Sequence, residues 1–222
     1  MKVRVQDVLQ KTGVFFMQPY GVSGLLTWVL AGIVSVSFGT SQALAQGKDY
    51  RTVDQSYVIP DVELTNAKGQ VVNLPELILD DENTLVSFIF TSCPGICPMI
   101  TSNMVRAQPA LDEIHPDYKI ILVSLDPQYD TPERLDAYSK RFKTGDKVHF
   151  LTGARADVFK VLQSFDAMYE GSNKMNHQPT TLMRRPDIAN WRRVEGLIGS
   201  ETLIEQYELF VRRDADSTAS RH

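Results

Sequence analysis

Two continuous apolar runs dominate the hydrophobic pattern of the chain. Residues 84–91 (Thr-Leu-Val-Ser-Phe-Ile-Phe-Thr) and 118–125 (Tyr-Lys-Ile-Ile-Leu-Val-Ser-Leu) are rich in β-branched and aromatic side chains. A strand that is covered on both faces has this character, because neither face meets water. The two runs are therefore predicted to be buried strands of one sheet.

Shorter patterns around these runs predict the remaining elements. Paired strand patterns that flank turn-forming residues indicate two hairpins, and apolar spacing or capping signals indicate the helices. The hairpins are 61–65 with 70–73 and 180–184 with 191–195, a short strand covers 148–151, and helices cover the segment after Cys97 to about Pro109, 130–142, 154–165 and 200–213. A hairpin, β-α-β-α units, then a hairpin and a helix is the order of an α/β, thioredoxin-like fold with an N-terminal β-hairpin extension.

The N-terminus has the features of an export signal. Lys2, Arg4 and Lys11 precede an apolar run from about Gly21 to Phe38, and Ala43-Leu44-Ala45 has the small-x-small pattern of a signal-peptidase site. An uncleaved membrane anchor is the alternative, since eighteen mostly apolar residues nearly suffice to span a bilayer. In either case we expect the rest of the chain to be exported to the periplasm.

The remaining chain has the size of one globular domain. Residues 46–222 carry 20 basic and 26 acidic residues, a net charge of −6, and neither a basic stripe nor a long linker is present. Nucleic acid is therefore not expected as a partner. We divide the chain into a signal peptide or anchor (1–45), a thioredoxin-like domain (46–213) and a disordered polar tail (214–222).

Cys93 and Cys97 are the only cysteines among 222 residues, and they lie in Thr-Ser-Cys-Pro-Gly-Ile-Cys-Pro (91–98). The pair follows a predicted strand and precedes a predicted helix, where free N–H groups and the helix dipole favour thiolates. The spacing also allows a reversible Cys93–Cys97 disulfide. A purely structural bridge is the weaker interpretation, because so small a loop gains little entropically.

His177 is the best candidate for a third functional side chain. It lies in Met-Asn-His-Gln-Pro-Thr (175–180), in a loop that leads into a predicted strand and that a thioredoxin-like fold places against the cysteine turn. Two thiolates and one imidazole suit Cu(I), and with a further ligand Cu(II), whereas structural zinc sites usually use four protein ligands. From the residues alone, a surface or structural role for His177 stays open. Asp126, which follows the second strand, is expected either to support the site as an acceptor or to make a turn.

Two segments of the chain resemble the SCO/SenC family. They are residues 88–98 (Phe-Ile-Phe-Thr-Ser-Cys-Pro-Gly-Ile-Cys-Pro) and 124–133 (Ser-Leu-Asp-Pro-Gln-Tyr-Asp-Thr-Pro-Glu), followed by a late histidine. The resemblance implies a membrane-associated copper-binding protein with a thioredoxin fold that helps deliver copper to cytochrome c oxidase. Its copper ligands would be Cys93, Cys97 and His177. Gly95 stands where the family often has an acidic residue, and Asn176 where it usually has aspartate.

Three functions are compatible with these residues. The resemblance favours a copper metallochaperone whose partner is the copper-bearing subunit of cytochrome c oxidase or another copper-receiving protein. A thiol–disulfide oxidoreductase that reduces target cysteines is the alternative, and it uses the same thiolates without metal. A peroxidase or redox sensor is the third possibility. Whether the protein is an enzyme is left open by the sequence.

Overall fold

The computed structural model describes residues 49–169, 171 and 173–212. Within them, eight strands form one mixed sheet, accompanied by five α-helices and one short 3₁₀ helix. The strands are β1 (Arg51–Gln55), β2 (Glu63–Asn66), β3 (Val71–Asn73), β4 (Asn83–Ile89), β5 (Tyr118–Ser124), β6 (Val148–Thr152), β7 (Thr180–Arg184) and β8 (Trp191–Glu195). The helices are α1 (Leu74–Ile78), α2 (Ile96–Ile114), α3 (Pro132–Phe142), α4 (Arg155–Ser164), the 3₁₀ turn (Lys174–Asn176) and α5 (Ser200–Arg212).

The two apolar runs form the middle of the sheet, as predicted. The strand order is β1-β8-β7-β4-β5-β6-β2-β3, and every residue of β4 and β5 is buried. β4 and β5 are parallel, whereas β7 pairs antiparallel with β4 on its other side. The hairpin of β2 and β3 extends the sheet beyond β6. The arrangement agrees with the α/β, thioredoxin-like fold and the N-terminal hairpin predicted from the sequence.

The sheet brings three loops to one edge. The pairing of Ile89 with Ser124 places the carboxyl ends of β4 and β5 side by side, so the segments that follow them start together. β7 runs the other way, and the pairing of Ser87 with Thr181 brings the beginning of β7 to the same edge. Ser87 Oγ donates to the Thr180 carbonyl at 2.7 Å and fixes that register. The cysteine turn and the loops that carry Asp126 and His177 therefore meet at one place.

Helix α2 is longer than predicted. The expected end near Pro109 is wrong, since the helix continues to Ile114. Proline has no N–H to donate to the preceding turn, which disfavours it inside a helix. Burial of Ala107 and Leu111 on both sides of Pro109 within the core offsets this cost. Asn103 also ties the helix to the loop before α5, because its Nδ2 donates to the Ile198 carbonyl at 2.8 Å.

Some elements were missed, and some predictions lie outside the described residues. The sequence patterns did not predict β1, which adds to the sheet edge by pairing with β8, or the short helix α1. The predicted leader (1–45) and tail (214–222), together with the last residue of the predicted domain, Arg213, are not described. In the part of the chain that is described, none of the helices is long and apolar enough to cross a bilayer.

Candidate functional site

The cysteine turn links the end of β4 to the first turn of α2. The Cys93 N–H donates to the Phe90 carbonyl at 3.1 Å, and Cys97 lies one residue after the helix begins at Ile96. Gly95 precedes the helix, and no side chain caps it there. The first N–H groups of α2 therefore stay available to the sulfur atoms. Both cysteines are free thiols, and both are buried.

Cys93 is the thiol that ionises more easily. Burial opposes its ionisation, but hydrogen bonds from the backbone N–H groups of Cys97, Gly95 and Ile96, and from the Cys97 thiol, lower the pKa of Cys93 below its usual value. The Cys93 sulfur therefore accepts from a helix N-terminus and from its partner. It is therefore the first thiol of the pair to ionise and the expected first nucleophile or metal ligand.

Cys97 is held in the opposite state. Its side chain has no exposed area, and this burial raises the pKa of the Cys97 thiol far above its usual value. The Phe90 N–H donates to Cys97 Sγ at 3.5 Å and partly offsets the burial. The hydrogen bond to Cys93 and the negative charges of Cys93 and Asp130 raise the pKa further. The two sulfur atoms therefore form a hydrogen-bonded pair in which Cys93 ionises before Cys97.

His177 packs against Phe90, whose N–H donates to Cys97 Sγ, and one of its ring nitrogens has no partner. The residue is only 4% exposed, and its ring meets the Phe90 ring edge-on, with centroids 5.9 Å apart. Nδ1 is 3.1 Å from the Lys174 carbonyl, which can only accept, so Nδ1 carries the proton. Nε2 is then an unprotonated acceptor, and it is buried without a hydrogen-bond partner. Burial lowers the pKa of His177, which keeps the imidazole neutral and its lone pair free.

Asp126 follows the end of β5, on the same side of the sheet as the cysteine turn, but it makes no direct bond to the cysteines or to His177. It makes a partly buried ion pair with Lys174, the residue whose carbonyl accepts from His177. Its own N–H donates to Ser124 Oγ at 3.0 Å, which ties it to the end of β5. Its carbonyl accepts from the N–H groups of Tyr129 and Asp130, so Asp126 makes the turn that was the alternative expectation. The supporting role stays a prediction, and among the described residues its route to His177 is through Lys174, a residue that the sequence patterns did not single out.

Asp130 is a further site residue that was missed. The sequence patterns suggested a helix-capping segment here, but Thr131 is the residue that caps α3, and Asp130 has no exposed area. Its carboxylate accepts from Ser124 Oγ at 2.6 Å, from the Thr91 N–H at 3.1 Å and from Thr91 Oγ1. A buried carboxylate thus joins the end of β5 to the start of the cysteine turn. The sequence signal that could have identified Asp130 is its position shortly after a buried strand whose neighbour in the sheet leads into the cysteine turn.

These residues form a soft donor set, although they are not gathered into a finished metal cage. Among residues 49–169, 171 and 173–212, no group of three or more His, Cys, Asp or Glu side chains is positioned to hold a metal ion. The two sulfurs are in contact, and His177 adjoins them through Phe90. The unpartnered Nε2 is what a missing ligand would satisfy, because a buried polar atom without a partner is costly. Two thiols and one neutral imidazole fit a soft ion such as copper.

Comparisons with known proteins agree on one family. The SCO1/SenC family model matches residues 51–212. The SCO1 protein homolog of Bacillus subtilis is 32% identical over 138 residues, which cover 60% of this chain and 70% of the relative. An SCO2-like protein of Rickettsia felis is 29% identical over 162 residues, covering 73% of this chain and 77% of the relative.

Solved structures show the same fold. The crystal structure of Arabidopsis thaliana ScoI with copper bound superposes with a TM-score of 0.61 at 22% identity, and the match covers 70% of this chain and 99% of that one. BsSco, described as a member of the Sco family of cytochrome c oxidase assembly proteins that has a disulfide switch, gives a TM-score of 0.59 at 27% identity. That match covers 70% of this chain and 94% of BsSco.

Proposed function

The chain belongs to the SCO1/SenC family, and we propose that it is a copper metallochaperone that binds the ion through Cys93, Cys97 and His177. Its recipient is the copper-bearing subunit of a cytochrome c oxidase or another copper-receiving protein. The relatives support this proposal, since one similar structure contains copper and BsSco is described as belonging to a family of oxidase assembly proteins. The observation that carries it is the buried, unpartnered Nε2 of His177, whose ring packs on Phe90, the residue that donates to Cys97 of the contacting thiol pair.

Each ligand contributes differently to binding. Cys93 has the lowered pKa and is the first sulfur available to an arriving ion. Cys97 must lose its proton when copper binds, so binding releases protons and strengthens as the pH rises. His177 needs no proton change, because its Nδ1–H is held by the Lys174 carbonyl and its Nε2 already carries a lone pair. A copper-receiving site removes the ion by exchanging these ligands one at a time.

The test is copper binding by the purified, reduced protein, four single variants and one double variant. We expect one copper per chain, near-complete loss in Cys93→Ser and in Cys97→Ser, and markedly weaker binding in His177→Ala. His149→Ala is the matched control, because His149 is a partly buried histidine on β6 that lies outside the proposed ligand set. Full copper loading of the Cys93→Ser/Cys97→Ser double variant would refute the proposal.

Thiol–disulfide exchange is a second candidate, and the unequal thiols favour it. The Cys93 thiolate attacks a target disulfide and releases one target thiolate, which takes the proton that Cys97 gives up. Cys97 then attacks the Cys93 sulfur, so the second target thiolate leaves and the Cys93–Cys97 disulfide forms. Two electrons pass from this pair to the target. The test is the reduction of a peptide disulfide. If His177→Ala keeps this activity and Cys93→Ser loses it, the result would support disulfide reduction as a function beside copper binding.

We propose further that the protein acts outside the cytoplasmic membrane, in the periplasm, and that residues 1–45 direct it there. The basic residues before the apolar run and the small residues at Ala43 and Ala45 support this assignment. Mass spectrometry of the protein recovered from cells tests it. A chain that begins at Gln46 indicates cleavage, an intact membrane-bound chain indicates an anchor, and an intact chain in the cytoplasm would refute export.

A further inference from the structure

The backbone N–H and the ring Nδ1 of His177 both bond to a single carbonyl group. The Lys174 carbonyl accepts from the His177 backbone N–H at 3.3 Å and from His177 Nδ1 at 3.1 Å. These bonds help to fix the position of the residue, and they leave Nε2 as the ring nitrogen that is free to bind a ligand. The 3₁₀ turn that supplies the carbonyl is three residues long, and regular structure of that length contributes little stability by itself. Whatever holds Lys174 in place therefore also holds the imidazole.

The side chain of Lys174 is held at two points. Its Nζ pairs with the Asp126 carboxylate, and the two side chains are 33% and 16% exposed. The same Nζ lies 4.9 Å from the centroid of the Phe90 ring, within cation–π range. Phe90 in turn contacts the His177 ring and donates its N–H to Cys97 Sγ. Lys174, in the loop before β7, thus contacts both the loop after β4, through Phe90, and the loop after β5, through Asp126.

Asp126 is a rigid anchor for this contact. Its N–H donates to Ser124 Oγ at 3.0 Å, and its carbonyl accepts from the N–H groups of Tyr129 and Asp130 at 3.0 and 2.8 Å. The aspartate is therefore fixed to the end of a fully buried central strand. An ion pair that is partly screened from water, with one fixed partner, restrains a chain better than a freely solvated surface pair does.

We infer that Lys174 is a positioning residue, a latch whose ion pair with Asp126 keeps the His177 loop against the cysteine turn. The inference rests on the proposed copper function and adds a residue to it. The latch determines the fraction of molecules in which Nε2 is available beside the thiol pair. Because the apparent dissociation constant rises in inverse proportion to that fraction, release of the latch is expected to weaken copper binding about three- to tenfold.

Three single variants, and Lys174→Met in a His177→Ala background, test the latch in the full chain. Lys174→Met removes the charge and keeps the aliphatic stem, whereas Lys174→Arg keeps the charge and serves as the conservative rescue. Lys140→Met is the matched control, because Lys140 forms an exposed ion pair with Asp136 at 2.6 Å within α3. Hydrogen exchange at the His177 amide and the ¹⁵N signals of its ring report on the metal-free protein, and competition with a Cu(I) chelator reports on copper affinity.

The expected pattern separates a latch from a general loss of structure. In Lys174→Met, the metal-free protein should exchange the His177 amide faster and show a mixture of both ring tautomers in place of the Nδ1–H form. Its Cu(I) affinity should fall three- to tenfold, with little change in Lys174→Arg or Lys140→Met. In a His177→Ala background, Lys174→Met should cause no further decrease in Cu(I) affinity.

Two results would overturn the inference, and neither is the result that overturns the copper function. An unchanged His177 exchange rate and tautomer in metal-free Lys174→Met would show that the ion pair does not hold the loop. An equal loss of Cu(I) affinity with and without His177 would show that Lys174 acts by another route. If the parent protein bound no Cu(I), the copper function would fail, while the metal-free measurements would still decide whether Lys174 is a latch.

Discussion

Replacement of His177 by leucine is expected to stabilise the metal-free protein while it removes most copper binding. His177 buries Nε2 without a partner, and an unsatisfied buried polar group costs about 1–3 kcal/mol. Leucine removes that cost and keeps an apolar side chain against Phe90. It also loses the Nδ1–H bond to the Lys174 carbonyl, which contributes about 0.5–1.5 kcal/mol. That carbonyl is not left unsatisfied, because it still accepts from the backbone N–H of residue 177. The free energy of unfolding should therefore rise by about 1 kcal/mol.

Copper is expected to reverse this order of stability. At a free copper concentration 100 times the dissociation constant, binding stabilises the parent protein by about 2.7 kcal/mol. If the variant binds about 100-fold more weakly, the same concentration stabilises it by about 0.4 kcal/mol. The parent should then be more stable than His177→Leu by roughly 1 kcal/mol when copper is present.

Urea unfolding under reducing conditions, with and without Cu(I), measures both effects through the fluorescence of the buried Trp191. His115→Leu is the control, because Nδ1 of His115, after the end of α2, is also buried without a partner. This control should stabilise the metal-free protein without changing the copper increment. A metal-free His177→Leu protein that is less stable than the parent by about 1 kcal/mol would refute the reasoning, since Nε2 would then be satisfied in the fold.

Three further outcomes follow from the geometry of the site. In the reduced, metal-free protein, iodoacetamide near neutral pH should modify Cys93 first, and Cys97 should react only after unfolding. The reason is that the pKa of Cys93 is lowered and that of Cys97 is raised. Peptide mass spectrometry identifies the labelled residue. Burial lowers the pKa of His149 and of His177, so below about pH 6.5 the unfolded chain binds more protons than the folded chain does. The free energy of unfolding should therefore decrease as the pH falls. A urea midpoint that is equal at about pH 7.5 and 5.5 would contradict this. Asp130→Ala should lower the free energy of unfolding by about 3–5 kcal/mol, because three donors lose their acceptor, and Asp130→Asn should lower it less; thermal or urea unfolding measures the difference.

Local pattern was sufficient for most of the elements. β4 and β5 were predicted within two residues of their observed ends, because a strand buried on both faces must be apolar throughout. Both hairpins were also predicted, since their turn residues and alternating strands lie within a few positions of each other. The cysteine pair was identified from its spacing and from the strand that precedes it. All of these signals are short-range.

Long-range pairing decided what the local pattern did not. Strand β1 has no sequence signal of its own and is a strand because β8 offers it a free edge. Helix α2 continues through Pro109 because its buried residues gain more from the core than the proline costs. Both outcomes depend on residues far away in the chain.

The candidate site shows the same division most clearly. Residue types suggested Cys93, Cys97 and His177, but the antiparallel pairing of β7 beside β4 is what brings the histidine loop to the cysteine turn. The contacts of Asp130 with Thr91 and of Lys174 with Asp126 span 39 and 48 positions of sequence. A sequence pattern records which side chains one segment must bury. It does not record which distant segment will supply a partner, because that is set by the packing of the whole sheet.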